Sequence, residues 1–103
     1  MKRRIVYSRI AIRDLDRVWS EVFEASKSYD VTSAYIDGMM DRIEAKADYP
    51  ESGSPLYYED SFTGYYSILF KAYLAFYRIE GDALFVDRVL FRKSDYIRLL
   101  HLA

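Results

Sequence analysis

The residues best suited to chemistry are cations interleaved with tyrosines near the C-terminal end of the chain. They are Lys71, Tyr73, Tyr77, Arg78, Arg88, Arg92, Lys93 and Tyr96. Cations bind phosphate groups and aromatic faces stack on bases, and together they can hold the charge of a phosphoryl-transfer transition state. The set could serve a function directed at nucleic acid, although tyrosine and arginine also suit exposed strands that have no such role.

Several other catalytic devices are excluded by the sequence. The chain has no cysteine, so it has no disulfide, no thiolate metal site and no cysteine nucleophile. His101 is the only histidine, and we expect it to lie on the surface. The four glycines are scattered and form no phosphate-binding loop. We therefore expect neither a metal site nor a cofactor.

Length and composition predict one folded domain over residues 1–103. The chain is 51% hydrophobic with only 4 Gly and 2 Pro, which excludes a disordered or fibrous protein. At this length there is no room for a second hydrophobic core. The sequence shows no apolar run long enough for a signal peptide or a membrane span. Together with the absence of cysteine, this predicts a soluble, cytoplasmic protein with no membrane partner.

The formal net charge of -1 hides an uneven distribution of charge. Residues 1–13 carry five bases and no acid, whereas residues 14–60 carry four bases and twelve acids. Residues 61–103 are again basic, with six bases and four acids. Such asymmetry suggests an anionic partner, although acidic helix faces are often only solvated surface.

The first half of the chain predicts a short strand followed by a helical hairpin. Residues 4–8 are β-branched and aromatic, as is typical of a strand. Asp14 is predicted to cap a first helix, and Asp30 or Thr32 to cap a second that ends before Pro50. The first helix has an apolar stripe at helical spacing: Leu15, Val18, Trp19, Val22 and Phe23.

The second half predicts an antiparallel sheet. Residues 50–64 are rich in turn residues and predict a long irregular segment. Residues 65–70, 73–79 and 83–91 alternate with a period of two, and Ser94 is predicted to cap a short final helix. Neither face of the third strand is uniformly polar, so we expect both faces of the sheet to be covered at least in part. The fold class is α+β, a helical hairpin packed on an antiparallel sheet in the order β-α-α-β-β-β with a short C-terminal helix.

The C-terminal half closely resembles the closing hairpin of the RelE/ParE toxin superfamily. The resemblance lies in the run KAYLAFYRI at 71–79, the turn at Gly81 and the run VDRVLFRKSDY at 86–96. The first half agrees in layout, so the resemblance covers nearly the whole chain. It implies a RelE/ParE-like fold and a toxin of a type II toxin–antitoxin module, of the kind also called plasmid stabilisation proteins. A cognate antitoxin partner would hold such a toxin inactive.

The resemblance leaves three functions open. RelE-like members cleave messenger RNA in the ribosomal A site without a metal, and such an mRNA endoribonuclease is our first hypothesis. ParE-like members act on DNA gyrase instead, by protein binding. A third possibility is a non-catalytic member that only pairs with its antitoxin.

For the nuclease hypothesis, the resemblance implies which residues would act. Lys93 falls near the family's basic residue after the last strand, with Arg92 beside it and Tyr96 as a shifted aromatic. These three are the predicted catalytic residues, and the predicted substrate-binding residues are Lys71, Tyr73, Arg78 and Arg88. Leu74 stands where the family has a strand arginine, and the chain is not strongly basic, so both features count against cleavage.

Overall fold

The computed structural model describes residues 3–103 as a five-stranded sheet with a helical hairpin on one face. The elements in chain order are β1 (Arg4–Tyr7), α1 (Arg9–Ser26), α2 (Tyr29–Glu44), a 3-10 turn (Pro50–Ser52), β2 (Ser54–Tyr58), β3 (Ser61–Phe70), β4 (Tyr73–Glu80), β5 (Ala83–Phe91) and α3 (Tyr96–Leu99). The predicted α+β class and element order are confirmed, with one more strand than the sequence indicated. No helix within the described residues is long and apolar enough to cross a membrane.

The sheet has the order β1-β5-β4-β3-β2. Strands β2 to β5 pair with one another in antiparallel fashion, as short hairpin connections require. Strand β1 instead pairs in parallel with β5, with Arg4 opposite Ala83. A parallel pair needs a long crossover between its strands, which the helical hairpin and the later strands supply. The predicted antiparallel sheet is therefore correct for four of the five strands.

The segment 50–64, predicted to be irregular, contains strand β2 and the start of β3. The two strands are joined by Glu59 and Asp60, which both have positive φ (50° and 64°). A two-residue turn with both φ values positive matches the twist of the strands it joins. Such turns usually contain Asn or Gly, so residues 59 and 60 did not predict a hairpin. Pro55 is tolerated because β2 is an edge strand.

Serine residues begin both long helices. The Ser8 Oγ accepts a hydrogen bond from the Ala11 N–H at 2.9 Å, and the Ser28 Oγ accepts one from the Val31 N–H at 3.2 Å. Helix α1 thus starts before Asp14, which was predicted as its cap but lies inside the helix with 2% of its surface exposed. Likewise, Asp95 and not Ser94 precedes α3.

Two hydrophobic clusters cover the two faces of the sheet, as predicted. The larger one packs α1 and α2 against the sheet through buried residues that include Val18, Met39, Ile43, Tyr77 and Leu84. The smaller one lies on the opposite face, where Phe76 and Leu90 pack against Leu100 just after α3. Burial of these side chains is the main stabilising contribution in a domain of this size.

Candidate functional site

The predicted catalytic cations Arg92 and Lys93 lie in the turn that follows β5, and both side chains are exposed. The turn is fixed by backbone hydrogen bonds, from the Arg92 N–H to the Ala72 oxygen at 2.8 Å and from the Ser94 N–H to the Phe91 oxygen at 2.9 Å. Neither cation forms an ion pair within residues 3–103. Both are therefore available to a partner molecule.

Tyr96, the predicted catalytic aromatic, begins α3 and is half-buried. Its ring packs on the ring of Phe76, with the centroids 5.1 Å apart. This contact helps to hold α3 on the sheet face opposite the helical hairpin. The packing gives Tyr96 a structural role whether or not its hydroxyl also meets a ligand.

Arg88, a predicted substrate-binding residue, is engaged by the buried carboxylate of Asp14. The Arg88 Nε donates to Asp14 Oδ2 at 2.8 Å, and the Arg88 Nη2 donates to Asp14 Oδ1 at 3.2 Å. Hydrogen bonding to Asp14 raises the pKa of the Arg88 guanidinium above its usual value. Arg17 completes the group by donating to Asp14 Oδ1 at 2.9 Å. The charge of Arg88 is thus already balanced within the chain.

The outer edge of β5, beyond the part paired with β1, forms hydrogen bonds with Ser8, Asp14 and Arg17. Beyond the end of β1, the Ser8 Oγ donates to the Asp87 oxygen at 2.8 Å. The Val89 N–H donates to Asp14 Oδ2 at 2.9 Å, and Arg17 donates to the Val89 oxygen at 3.0 Å. Unpaired backbone groups at a buried strand edge are costly. Asp14 and Arg17 therefore substitute for a neighbouring strand.

A cavity of ≈ 180 Å³ brings Tyr65, Asp87, Arg88 and His101 together on the sheet face opposite the helical hairpin. The Tyr65 hydroxyl donates to Asp87 Oδ2 at 2.5 Å. Burial, together with this hydrogen bond, raises the pKa of Tyr65 to about 12. At neutral pH Tyr65 is therefore a proton donor and a poor base. Within residues 3–103 no group of three or more His, Asp or Glu residues is placed to hold a metal ion.

Sequence reasoning did not single out three of the residues around Arg88. Asp14 was assigned to a helix cap, Tyr65 to a strand with no site role, and His101 to the surface. One signal for Asp14 was its place in the first helix one turn ahead of the apolar Val18. The charged pair Asp87 and Arg88 in the middle of a strand whose other residues are all apolar was a second signal.

Lys71 and Tyr73 lie on the helix side of the sheet, away from the other predicted residues. Lys71 has a positive φ of 54° in the β3–β4 turn, and its Nζ lies 5.2 Å from the ring centroid of Tyr35. Tyr73 is buried, and its hydroxyl donates to Glu21 Oε1 at 2.8 Å. Burial and this hydrogen bond raise the pKa of Tyr73. Tyr73 therefore packs in the hydrophobic core and links β4 to α1 through Glu21.

Arg78 lies on the opposite face, half-buried on β4. Its guanidinium carbon is 4.8 Å from the ring centroid of Phe85, its cross-strand neighbour, and its Nη1 donates to Glu80 Oε1 at 3.0 Å. Its Nε is buried and has no hydrogen-bond partner. Leu74 also belongs to this face and packs in the smaller hydrophobic cluster.

The predicted set is therefore divided among three places. Arg78, Arg88 and Tyr96 share one sheet face, Lys71 and Tyr73 belong to the helix side, and Arg92 and Lys93 lie at the end of β5. A site built from the first three would have little charge from Arg88, because the buried Asp14 carboxylate engages it, and Arg78 contacts Glu80 in a partly exposed ion pair.

A groove of ≈ 390 Å³ opens between the two helices and the β3–β4 turn. We call it the α1–α2 groove; its apolar lining is Val22, Ala25, Val31, Tyr35 and Ala72, and its polar lining is Glu21, Ser26 and Tyr73. Val31, at the border of the groove, is 53% exposed. The groove has the shape and lining of a docking site for an apolar side chain of another protein.

Comparison with known proteins gives a consistent family match. The family model described as the ParE toxin of the type II toxin–antitoxin system, parDE, matches residues 5–96. No curated protein matches the chain.

Solved structures of the same type share the fold. A structure of the chromosomal ParDE toxin–antitoxin system from P. aeruginosa superimposes with a TM-score of 0.72 at 13% identity, covering 87% of this chain and 96% of that chain. A RelBE2 toxin–antitoxin complex from Mycobacterium tuberculosis gives 0.59 at 20% identity, covering 89% and 100%. A YoeB/ParE toxin from Agrobacterium tumefaciens gives 0.59 at 19% identity, covering 86% and 98%.

Proposed function

The chain belongs to the ParE toxin family of type II toxin–antitoxin systems, and from this premise we propose that it arrests growth by binding DNA gyrase. Such a function rests on surface contact with a protein and needs no catalytic group. It differs from our first hypothesis, mRNA cleavage, only in the target and in what the exposed cations do there.

The proposal rests on the ion pairs of Arg78 and Arg88, two of the predicted substrate-binding residues. Arg88 is paired with the buried carboxylate of Asp14, so it offers no free charge to a transferring phosphoryl group. Arg78 is paired with Glu80 in a partly exposed and therefore weaker ion pair. Leu74, at the position of the family's strand arginine, packs in an apolar cluster. Arg92 and Lys93 remain exposed, and they suit contact with an acidic surface as well as they suit contact with a phosphate.

Messenger RNA cleavage remains the second candidate because of the cavity beside Arg88. Tyr65, Asp87 and His101 place a phenol, a carboxylate and an imidazole around one small space. Tyr65 would act as the proton donor in such a reaction, because its phenol, with a pKa of about 12, stays protonated at neutral pH. Asp87 or His101 would act as the base.

We also propose that the cognate antitoxin docks in the α1–α2 groove. The groove is apolar, concave and bordered by exposed Val31, which suits an apolar anchor on the antitoxin chain. Glu21 adds a carboxylate on the same lining. An antitoxin segment with an apolar residue and a nearby cation would match both features.

The proposal is tested by inducible expression with separate readouts of DNA supercoiling and of protein synthesis. We expect loss of supercoiling while translation continues. Arg92→Ala combined with Lys93→Ala should weaken this effect, whereas Arg9→Ala combined with Arg13→Ala, a pair of exposed cations on α1, should not.

Two other outcomes would replace the proposal. Arrest of translation with mRNA cleavage, abolished by Tyr65→Phe combined with His101→Ala, would favour the nuclease. Expression without any growth defect would favour a member that only pairs with its antitoxin.

A further inference from the structure

The free edge of the sheet, at β2, carries opposite charges at its two ends. Glu59 and Asp60 form the turn that follows β2, and both side chains are exposed. Arg42 and Lys46 lie at the other end, where they line one small cavity together with Ser54, the first residue of β2. Within residues 3–103 none of these four charged side chains forms an ion pair. The edge therefore has two unpaired cations at its start and two unpaired anions at its end.

A backbone contact places Arg42 at this edge of the sheet. Ser67 is the partner of Ser54, and β3 continues beyond Ser67 to Phe70. Arg42 Nη2 donates to the Leu69 oxygen at 3.2 Å, so the guanidinium lies beside the part of β3 that β2 leaves uncovered. Successive strand residues are about 3.3 Å apart, so the cations and the anions are separated by the length of β2, about 13 Å or more.

The outer edge of β2 also has free backbone groups. Within the described residues β2 pairs with β3 alone. Tyr58 and Ser61 flank the two-residue turn as partners, so their backbone groups face each other and those of Tyr57 point outward. Pro55 has no N–H to donate, which makes Tyr57 the centre for any further strand pairing. An edge with free donors and acceptors is a template for another strand.

An exposed aromatic surface accompanies this edge. The rings of Tyr57, Phe62, Tyr66 and Tyr77 form a row with successive centroid distances of 5.8, 5.3 and 5.5 Å. Tyr77 is buried, whereas Phe62 is 46% exposed and Tyr57 is 59% exposed. The row thus runs from the core to the free edge, where its last two rings are uncovered. Aromatic side chains of this kind are typical anchors of protein–protein interfaces.

We propose that this edge pairs in antiparallel fashion with the same edge of a second copy of the chain, forming a symmetric dimer. In a two-fold arrangement the end of each strand lies beside the start of the other. Glu59 and Asp60 of each copy then meet the two cations at the start of the other copy's β2. Pairing centred on Tyr57 sets residue 60 opposite residue 54 and brings the two exposed Tyr57 rings together.

The charges select this arrangement over a parallel one. Parallel pairing would place the two acidic turns side by side and the two basic ends side by side, and like charges in contact are unfavourable. The dimer is independent of the gyrase proposal, because it uses neither the cations after β5 nor the α1–α2 groove.

The test is sedimentation equilibrium of the purified chain from about 1 µM to 1 mM, the range expected for a small interface. We expect a reversible monomer–dimer equilibrium that weakens as NaCl is added. Glu59→Lys combined with Asp60→Lys should weaken dimerisation about tenfold or more, and so should Arg42→Glu combined with Lys46→Glu. An equimolar mixture of these two variant chains should form a heterodimer, because each turn then meets an opposite charge.

The matched control is Asp16→Lys combined with Asp37→Lys, which reverses two exposed acids on α1 and α2. We expect it to dimerise as the unchanged chain does. The proposal is overturned if the unchanged chain stays monomeric at the highest concentration, or if the control pair weakens the dimer as much as the Glu59 and Asp60 pair. It is also overturned if the two folded charge variants do not associate on mixing.

Amide chemical shifts of the unchanged chain provide a second measurement that does not depend on any variant folding. On raising the concentration we expect shifts at residues 54–60. A dimer whose shifts lie only elsewhere would overturn the proposal.

Discussion

Asp14 on α1 and Arg88 on β5 are 74 residues apart in the sequence and are joined by two hydrogen bonds, at 2.8 and 3.2 Å. Asp14 is 2% exposed, and the same carboxylate also receives the Val89 N–H and Arg17. One carboxylate thus holds the helical hairpin to the sheet edge and is shared by two arginines. The interaction accounts for why an arginine in the middle of β5 is not free to meet a ligand.

Replacing Asp14 by alanine should destabilise the fold strongly. The change leaves Arg88 and the Val89 N–H without their partner, and removing one member of a buried ion pair typically costs about 3 kcal/mol. The free energy of unfolding in urea measures the loss. Asp16→Ala, at an exposed position on the same helix, should change it by less than about 0.5 kcal/mol. Equal stability of the two variants would contradict the role assigned to Asp14.

Tyr77 and Gly53 should show coupled effects on stability. Tyr77→Phe removes a buried hydrogen bond to the Pro50 oxygen and should cost about 1–2 kcal/mol. Gly53→Ala alone should cost more, because its Cβ would overlap the Tyr77 hydroxyl. The double variant should be more stable than the sum of the single losses predicts, because the overlapping oxygen is gone. Urea unfolding of all four chains measures the coupling, and strict additivity would show that Gly53 and Tyr77 do not meet.

The fold was predictable from the sequence where hydrophobic periodicity is strong. The alternation in β4 and β5 predicted those strands nearly to their ends, and the apolar stripe predicted α1 but placed its start at Asp14 instead of Arg9. The β2–β3 hairpin was missed because Glu59 and Asp60 adopt positive φ without glycine. Local propensity does not report such a turn, since the pairing of the two strands stabilises it.

The candidate site was less predictable because it depends on contacts between distant residues. Tyr73 and Tyr77 belonged to the set of cations and tyrosines, yet both are buried against the helices. Strand alternation placed Arg78 and Leu74 on one face correctly. The pairing of Arg88 with Asp14 could not be read from spacing, because α1 reaches β5 only after β1 has joined the sheet in parallel.

The free energy of unfolding should fall at high pH, because several tyrosines have a higher pKa in the folded chain than in the unfolded chain. Burial raises the pKa of Tyr65 and of Tyr77 from 10.0 to about 12, and it also raises the pKa of Tyr73. A raised folded-state pKa gives stabilisation that is complete below pH 10.0 and is lost as pH rises through about 12. Urea unfolding across this range should show the decline. Tyr65→Phe should reduce its slope, whereas Tyr57→Phe, at a 59% exposed position, should not.

If the antitoxin docks in the α1–α2 groove, Val31→Asp should leave the chain toxic but prevent the antitoxin from neutralising it. Val31 lines the α1–α2 groove in the first turn of α2, where a carboxylate is favourable for the helix, so the fold should remain stable. A charge buried by an apolar anchor should weaken antitoxin binding by about tenfold or more. Calorimetry with the purified antitoxin measures the affinity, and co-expression measures whether growth is restored. Ile12→Asp, at a residue with 51% exposure on α1 outside the groove, is the matched control. If both variants bind antitoxin equally well, the antitoxin contacts another surface of the toxin.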